Sequence, residues 1–245
     1  MNVILINSSD ISKIYGIGSY LNYLKDELIN YQNINLIFVD VEIGTKGKVT
    51  IQNLGYQYIN ITLTQEDGFD TVASLSKIIF HLIILNSNVV DGIFHINSPM
   101  DLELAKVARE YGFKVVFTMH IDLSDYVNFY NGKIYDDLFP LVDGSIFITE
   151  ESRQFAIRKF LIKEENTCLI PNGIKWNINR QSKLKIKRSL GFGDHDFIAL
   201  FVGRLERNKG VFDLVEAFKL FSNNNPNKKL VLIGTGKFQE ILKIT

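Results

Sequence analysis

Phe201-Val-Gly-Arg-Leu-Glu-Arg-Asn-Lys-Gly210 is the stretch of this sequence that decides the fold. It begins at the end of an apolar run, Phe197 to Val202, which predicts a buried strand of a parallel sheet. Gly203 and Arg204 follow the strand directly, and Lys209 comes after a polar turn, at the start of an amphipathic helix. Two cations and a helix N-terminus are therefore expected at the carboxyl end of a strand, the edge at which open α/β sheets bind ligands.

The chemistry of these residues favours a phosphate or diphosphate ligand. Gly203 lets a ligand approach the backbone closely, Arg204 can contact two phosphate oxygens at once, and Lys209 adds a point charge. The helix dipole contributes a further ~0.3–1 kcal/mol at an exposed position. A surface loop with solvated cations is the alternative interpretation, since Glu206 and Arg207 lie between the two basic residues.

The composition is that of a globular protein with balanced charge. Of the 245 residues, 46% are hydrophobic and 22% are charged, and 27 basic residues balance 27 acidic ones. A protein that holds nucleic acid along a broad face is usually basic, so nucleic acid is not expected as a partner. The single cysteine, Cys168, excludes an intramolecular disulfide. It is expected to be a small apolar residue of a strand in a reducing compartment.

Neither of two strongly apolar segments predicts a leader peptide or a membrane span. Val3–Ile6 follows Met-Asn directly, without the basic region of a signal peptide. Ile78–Leu85 lies between Lys77 and Asn86 and is too short to cross a bilayer. We therefore expect a cytoplasmic protein.

Apolar runs of strand length alternate with longer segments of helical period, which predicts βαβ units and a parallel sheet. Six strands are predicted in the first part of the chain, at Val3–Ile6, Leu36–Val39, Gly92–Ile96, Lys114–Met119, Ser145–Ile148 and Thr167–Ile170. Helices are predicted at Ser19–Tyr31, Asp101–Tyr111 and Glu150–Leu161. Ser98-Pro99 and Thr149 are the start signals of the last two helices. The segment from Gly44 to Asp70 is expected to hold a short additional hairpin.

A domain boundary is predicted after Ile170-Pro-Asn-Gly-Ile174, which gives a first domain of residues 1–175 and a second part of residues 176–245. The polar segment from Trp176 to Gln181 has the composition of a linker. The second part is predicted as a short basic helix and one βαβ unit, at Ser182–Leu190, Phe197–Val202, Val211–Ser222 and Lys229–Ile233, followed by the first turns of another helix. Two strands do not normally form a stable open sheet alone. We therefore expect this part to pack on the first domain or a partner chain, or to be incomplete.

Gly16-Ile-Gly18 lies where the first strand gives way to the first helix. The pattern invites comparison with the dinucleotide-binding fingerprint, and Asp40 lies at the distance expected of its ribose-binding acid. However, Leu21 occupies the position of the third glycine, and about nine residues separate Ile6 from Gly16 where the fingerprint has a tight turn. A nicotinamide-dependent enzyme is therefore disfavoured. A longer glycine loop that approaches another ligand fits better, with a simple helix-start loop as the alternative.

His120 follows the strand that ends at Met119, again at the carboxyl edge of the predicted sheet. A histidine there can bind a substrate hydroxyl or titrate near neutral pH, and a capping or packing role is the alternative. The remaining histidines, His81, His95 and His195, show no spacing typical of a metal site.

Two acidic pairs have a spacing that could hold a metal, but turn and surface roles are favoured for both. Asp194-His-Asp196 precedes its strand and so lies at the wrong edge, whereas Asp40-Val-Glu42 lies at the right edge with a weaker pattern. We predict no metal. The basic run Lys183–Arg188 is compatible with an anionic membrane surface, although a solvated linker helix is the favoured interpretation.

Taken in order, these motifs resemble the retaining nucleotide-sugar glycosyltransferases of the large family four (group 1), which have the GT-B type of fold. The matching segments are Gly16-Ile-Gly18, Thr118-Met-His120, Ile170-Pro-Asn-Gly-Ile174, Val202-Gly-Arg-Leu with Lys209-Gly, and Val231-Leu-Ile-Gly-Thr-Gly236. The resemblance spans nearly the whole chain. It implies an α/β protein with a Rossmann-like parallel-sheet domain followed by an incomplete second Rossmann-like domain.

The resemblance also implies roles for individual residues. Arg204 and Lys209 would hold the donor diphosphate and stabilise the charge that develops on this leaving group, a task that a metal performs in other transferases. His120 would contact the donor sugar and is grouped with these two cations as catalytic. The donor-binding set would be completed by glycines and an amide, namely Gly16, Gly18, Gly203 and Asn172. No protein nucleophile and no cofactor are implied.

The implied activity is transfer of a hexose-type sugar from a nucleotide-diphosphate sugar to a glycan or lipid-linked acceptor, with retention, as in polysaccharide biosynthesis. Peripheral contact with the inner face of the membrane would accompany a lipid-linked acceptor. Members of the family continue for roughly another half-domain beyond the position of Thr245, so we expect this form to be weak or inactive. The alternative is a non-enzymatic role in which the first domain binds a glycan or a protein.

Overall fold

The computed structural model describes residues 1–8, 16–64, 72–123, 133–173 and 181–242. The chain divides into two compact units, Met1–Lys175 and Trp176–Thr245. Each unit is an α/β structure with parallel strand pairing. The α/β fold class expected from the alternation of apolar runs is therefore confirmed.

The first unit is built on an eight-stranded sheet in which the order of strands is β3-β4-β2-β1-β5-β6-β7-β8. Its strands are β1 (Asn2–Asn7), β2 (Asn35–Gly44), β3 (Lys48–Asn53), β4 (Gln57–Thr64), β5 (Ile93–Ile96), β6 (Lys114–Met119), β7 (Gly144–Phe147) and β8 (Thr167–Leu169). All neighbouring pairs are parallel except β3 with β4. The six predicted strands are confirmed, and the hairpin expected after Gly44 is the antiparallel β3–β4 pair.

The described helices of this unit are α1 (Gly16–Leu28), α2 (Val72–Ser87), α3 (Leu102–Glu110), α4 (Lys133–Leu138) and α5 (Glu150–Phe160). The predicted start signals are confirmed. The Ser98 hydroxyl accepts a hydrogen bond from Met100 N before α3, and the Thr149 hydroxyl accepts one from Ser152 N at the start of α5. Helix α4 was not predicted, because its six residues are too few to establish a helical period.

The continuous apolar runs of the central strands arise because helices cover both faces of the sheet. Successive residues of β1 alternate between two buried clusters. Val3 and Leu5 pack with α1 on one face, whereas Ile4 and Ile6 join the larger cluster on the other face. The two clusters bury β1 on both sides and fix the carboxyl ends of β1, β5 and β6 side by side at one edge.

Cys168 departs from its predicted role. It lies in β8, the last strand of the sheet, and its side chain is exposed. An edge strand has no neighbour on one side, so its residues gain less cover than those of the central strands. Within the described residues, no helix combines the length and the apolar composition that a bilayer crossing requires.

The second unit contains the parallel pair β9 (Phe197–Val202) and β10 (Lys228–Ile233), with α6 (Lys183–Ser189), α7 (Val211–Ser222) and α8 (Gln239–Leu242). The predicted βαβ order is confirmed. The prediction that β9 is buried is wrong, since Leu200 is 60% exposed and Val202 is 69% exposed. A two-stranded sheet with one packed helix cannot cover all of its side chains.

Candidate functional site

The loops at the carboxyl ends of β9 and β10 remain paired beyond the strands themselves. Gly203 N donates to Ile233 O over 3.0 Å, and Leu205 N donates to Thr235 O over 2.9 Å. Gly234, between these two acceptors, has φ +153°, and a Cβ built on it would lie 1.8 Å from Gly203 O. Glycine is required at this position because any side chain would collide with the neighbouring loop. The loop after β9 therefore has a backbone path set by the loop after β10.

Arg204 projects from this paired loop as a partly exposed cation. Its Nη1 lies 3.4 Å from Glu206 Oε2, and the exposed fractions of the two side chains are 49% and 27%. An ion pair with this exposure contributes about 0–1 kcal/mol. Arg204 can therefore exchange the carboxylate for a phosphate at little energetic cost.

Lys209 lies six residues after Gly203, at the end of a short 3-10 turn, Arg207–Lys209. Gly210 follows with φ +70° and is the residue from which α7 begins. The Lys209 side chain is exposed and has no ion-pair partner among the described residues. The predicted arrangement of a strand end, two cations and a helix N-terminus is thus present in the second unit.

A third cation of the same loop, Arg207, has a different environment. Its guanidinium carbon lies 5.0 Å from the ring centroid of Phe212 and 5.9 Å from that of Phe238. The two rings are themselves in an edge-to-face contact with centroids 5.0 Å apart. Cation–π contacts of this kind are worth about 0.5–1 kcal/mol at exposed sites. Arg207 is therefore held against aromatic rings, and the described residues show no such contact for Arg204 or Lys209.

In the first unit, His120 follows β6 and lies against Asn97, the residue that follows β5. His120 Nε2 is 3.0 Å from Asn97 Oδ1. The Tyr20 ring of α1 packs edge-on against the imidazole, with ring centroids 4.6 Å apart. Burial lowers the pKa of His120 to about 4, so the imidazole is neutral at pH 7.

Gly16 and Gly18 lie in the first turn of α1, at the edge of the sheet where His120 also lies. Gly16 is exposed with φ +42°, and Gly18 is buried. Ile17, between them, lines a cavity of about 150 Å³ that His120 and Ser98 also line. The structure therefore brings the predicted glycine loop and the predicted histidine to one concave surface, although they are separated by about 100 residues in the sequence. Asn172, the remaining predicted residue, is exposed after β8.

A second buried histidine, His95, lies on β5 beneath the concave surface that His120 lines. His95 Nε2 and Thr118 Oγ1, on adjacent strands β5 and β6, form a hydrogen bond of 2.7 Å. Burial and the neighbouring His120 lower the pKa of His95 to about 4. Sequence reasoning missed Asn97 and Tyr20, because their roles depend on contacts between strands and helices that are distant in the chain. Their position at element ends on the carboxyl edge is the signal that could have found them.

Asp101 is a buried carboxylate beside the same edge, and it predicts a pH dependence of stability. Ser8 Oγ donates to Asp101 Oδ1 over 2.5 Å, and Oδ2 has no hydrogen-bond partner in the described part of the chain. Burial raises the pKa of Asp101 to about 6, against the opposing effect of the Ser8 hydrogen bond. The folded state then keeps this proton at pH values where the unfolded state has lost it, so stability falls as the pH rises from about 4 to 6.

We expect Asp101→Asn to remove this penalty. Urea unfolding should show that the variant becomes more stable relative to the wild type as the pH rises. The difference in their free energies of unfolding should increase by about 3 kcal/mol between about pH 4 and pH 7. The buried histidines titrate alike in both proteins, so the difference between their unfolding free energies reports the titration of Asp101 alone. Ser8→Ala is the control, because loss of its hydrogen bond should move the transition to higher pH. A difference between wild type and Asp101→Asn that does not vary with pH would contradict the assignment.

In both acidic pairs, carboxylates are engaged by other groups of the protein. Asp40 is buried and accepts hydrogen bonds from Asn7 Nδ2 and the Tyr58 hydroxyl, both over 2.7 Å. Asp194 forms an ion pair with Arg188, and Asp196 accepts a hydrogen bond from Gly193 N. Among the described residues there is no group of three or more candidate metal ligands. That the protein uses no metal ion stays a prediction.

One segment of the chain matches a known protein family. Residues 182–244 match the family of glycosyl transferases group 1. The α-monoglucosyldiacylglycerol synthase of Acholeplasma laidlawii is 25% identical over 196 residues, which cover 71% of this chain and 48% of the relative. The chain thus spans about half the length of that curated relative.

Solved structures show the same fold at low sequence identity. The Anabaena protein HepE, solved in complex with UDP, superposes with a TM-score of 0.66 at 16% identity, covering 100% of this chain and 64% of HepE. The catalytic domain of starch synthase IV from Arabidopsis thaliana, solved with ADP and acarbose, has a TM-score of 0.65 at 14% identity, covering 99% and 70% of the two chains. The end of the chain, residues 182–244, thus matches the group 1 glycosyltransferases, and the chain has the GT-B type of α/β fold of these solved structures.

Proposed function

We propose that this protein transfers a hexose-type sugar from a nucleotide-diphosphate sugar to a glycan or lipid-linked acceptor, with retention of the anomeric configuration. The second unit binds the diphosphate through Arg204 and Lys209, and the loop at Gly203 allows the close approach of the phosphates. In the first unit, His120 contacts the donor sugar, and Gly16 and Gly18 let the donor phosphates or the acceptor approach the backbone. Asn172 is assigned to donor binding from the family pattern alone.

The observation that carries this proposal is the pair of partly exposed cations, Arg204 and Lys209, on a loop held in place by backbone pairing. Both residues lie within the segment that matches the family. When the bond to the sugar breaks, negative charge builds up on the leaving diphosphate. Fixed cations stabilise that charge more than they stabilise the bound donor, which is the requirement for catalysis.

Support for the acceptor comes from the similar proteins. The Acholeplasma relative is named for an α-glucosyl diacylglycerol product, and the Arabidopsis structure contains the oligosaccharide analogue acarbose. An α-linked product made from an α-linked donor is the outcome of retention. For a lipid-linked acceptor we propose contact with the inner face of the membrane through α6. Lys187 and Arg188 of this helix are engaged with Asp194 and Asp196, which leaves Lys183 and Lys185 for anionic headgroups.

The test is donor binding followed by product analysis. Isothermal calorimetry with UDP, UDP-glucose and ADP should show binding of at least one nucleotide. Transfer from that donor to diacylglycerol in anionic vesicles, or to a maltooligosaccharide, should give an α-linked product by proton NMR. The same assay measures the rate of transfer by this chain. Binding of saccharides without any nucleoside diphosphate would contradict the proposal and favour the non-enzymatic alternative.

A further inference from the structure

The side-chain amide of Asn97 has a fixed orientation. Its Nδ2 donates to two backbone carbonyls, Ile6 O over 3.2 Å and His95 O over 3.3 Å. The reverse orientation would place Oδ1 against both carbonyl oxygens, which can only accept hydrogen bonds. The oxygen atoms would then repel each other in a buried environment. Asn97 is only 3% exposed, so water cannot relieve the conflict. Oδ1 therefore faces His120.

This orientation decides which nitrogen of His120 carries the proton. Nε2 lies 3.0 Å from Asn97 Oδ1, an acceptor, so Nε2 must be the donor. The lowered pKa of His120 keeps the ring neutral at pH 7, and a neutral ring protonated at Nε2 has a bare lone pair on Nδ1. Nδ1 has no hydrogen-bond partner among the described residues. The titratable groups beside the ring are His95 of β5 and Tyr20 of α1.

We infer that Asn97 is a positioning residue that holds His120 in the Nε2–H tautomer, so that Nδ1 accepts a hydrogen bond from a hydroxyl of the ligand. The identity of that hydroxyl rests on the proposed function, in which it belongs to the donor sugar. The chemistry is selective, because a hydroxyl can donate to Nδ1 whereas a fully ionised phosphate oxygen and a carbonyl oxygen cannot. His120 thus discriminates in favour of the sugar and against the phosphates of the donor.

The tautomer can be measured without any activity. In protein labelled with ¹⁵N-histidine, the His120 signals are identified by their loss in His120→Gln, since the chain has only 4 histidines. We expect Nε2 to be protonated and Nδ1 to be unprotonated at pH 7, with both signals unchanged down to about pH 5. A protonated Nδ1, or a titration near pH 6.5 in the wild type, would overturn the inference.

Two variants test the role of Asn97. Asn97→Leu removes the acceptor, and we expect a mixture of the two tautomers of His120. Asn97→Asp restores an acceptor that is negatively charged, so the Nε2–H tautomer should return with the titration midpoint of His120 raised by about 1 to 3 pH units. Circular dichroism establishes that each variant is folded. A pure Nε2–H tautomer in folded Asn97→Leu would contradict the positioning role. If a variant does not fold, the tautomer measured in the wild type still tests the inference.

The ligand is tested with UDP-glucose, and with UDP as the matched probe without the sugar. We expect the His120 Nδ1 signal to shift on addition of UDP-glucose and to move much less with UDP. UDP-glucose that binds by calorimetry without moving Nδ1 would overturn the hydroxyl contact. If neither these two probes nor ADP binds, the proposed function fails, while the tautomer measurement still decides the role of Asn97.

Discussion

Replacing Arg204 with alanine should raise the Kd for UDP by about 10- to 100-fold, because hydrogen bonds between charged partners contribute about 1.5–3 kcal/mol. The effect on transfer should be larger. We expect kcat/KM to fall by about 100- to 1000-fold, since the guanidinium would stabilise charge that develops only as the diphosphate leaves. Calorimetry measures the first effect, and initial rates with a labelled nucleotide sugar measure the second.

The chain offers matched controls for this variant. Arg204→Lys keeps the charge but loses the two-pronged contact, so it should recover part of the affinity and less of the rate. Lys185→Ala removes one exposed cation of α6 with the same change in net charge, and it should leave the Kd for UDP unchanged. Equal effects of Arg204→Ala and Lys185→Ala would mean that binding responds to overall charge and that Arg204 makes no specific contact.

Replacing Gly234 with alanine should disrupt the second unit. The φ of +153° is nearly confined to glycine and costs another residue about 1–3 kcal/mol. The added Cβ would also lie 1.8 Å from Gly203 O, so one of the two loops must move. We expect a loss of about 3 kcal/mol or more in the free energy of unfolding, together with loss of UDP binding. Hydrogen exchange of the amides of β9 and β10 should report the change directly.

Gly191→Ala separates backbone strain from collision. Gly191 also has a positive φ, +79°, but a Cβ there would meet no atom within 4 Å. Its substitution should destabilise by about 1–2 kcal/mol without affecting UDP binding. If Gly234→Ala were no more disruptive than Gly191→Ala, the pairing of the two loops would not be what shapes the site.

Much of this architecture could be predicted, because the apolar runs of the central strands are long and the turn residues between them are distinctive. His120 and Arg204 could be selected because they lie one and two residues after an apolar run, which places them at the carboxyl edge of a parallel sheet. The exposure of Val202 could not be predicted, since it depends on how many strands and helices cover β9. Local sequence predicts the period of an element but not the number of its neighbours.

The difference between Arg204 and Arg207 was equally invisible in the sequence. They are the same residue type three positions apart. Their environments differ because, among the described residues, the rings of Phe212 and Phe238 lie against Arg207 and not against Arg204. Phe238 comes 31 residues after Arg207, from the loop beyond β10. Asn97 shows the same limit, since its partner Ile6 lies 91 residues away.

The pairing of the loops after β9 and β10 leaves the amides of Gly203 and Leu205 already satisfied, on either side of Arg204. These two amides cannot also donate to a phosphate, so in the proposed function its recognition at this loop falls to the exposed guanidinium of Arg204 and ammonium of Lys209. Interactions of that kind are screened by dissolved ions over a distance of about 8–10 Å at physiological ionic strength. The ionic strength of the surrounding solution, and not only the fit of the nucleotide, would then set how much donor this protein holds.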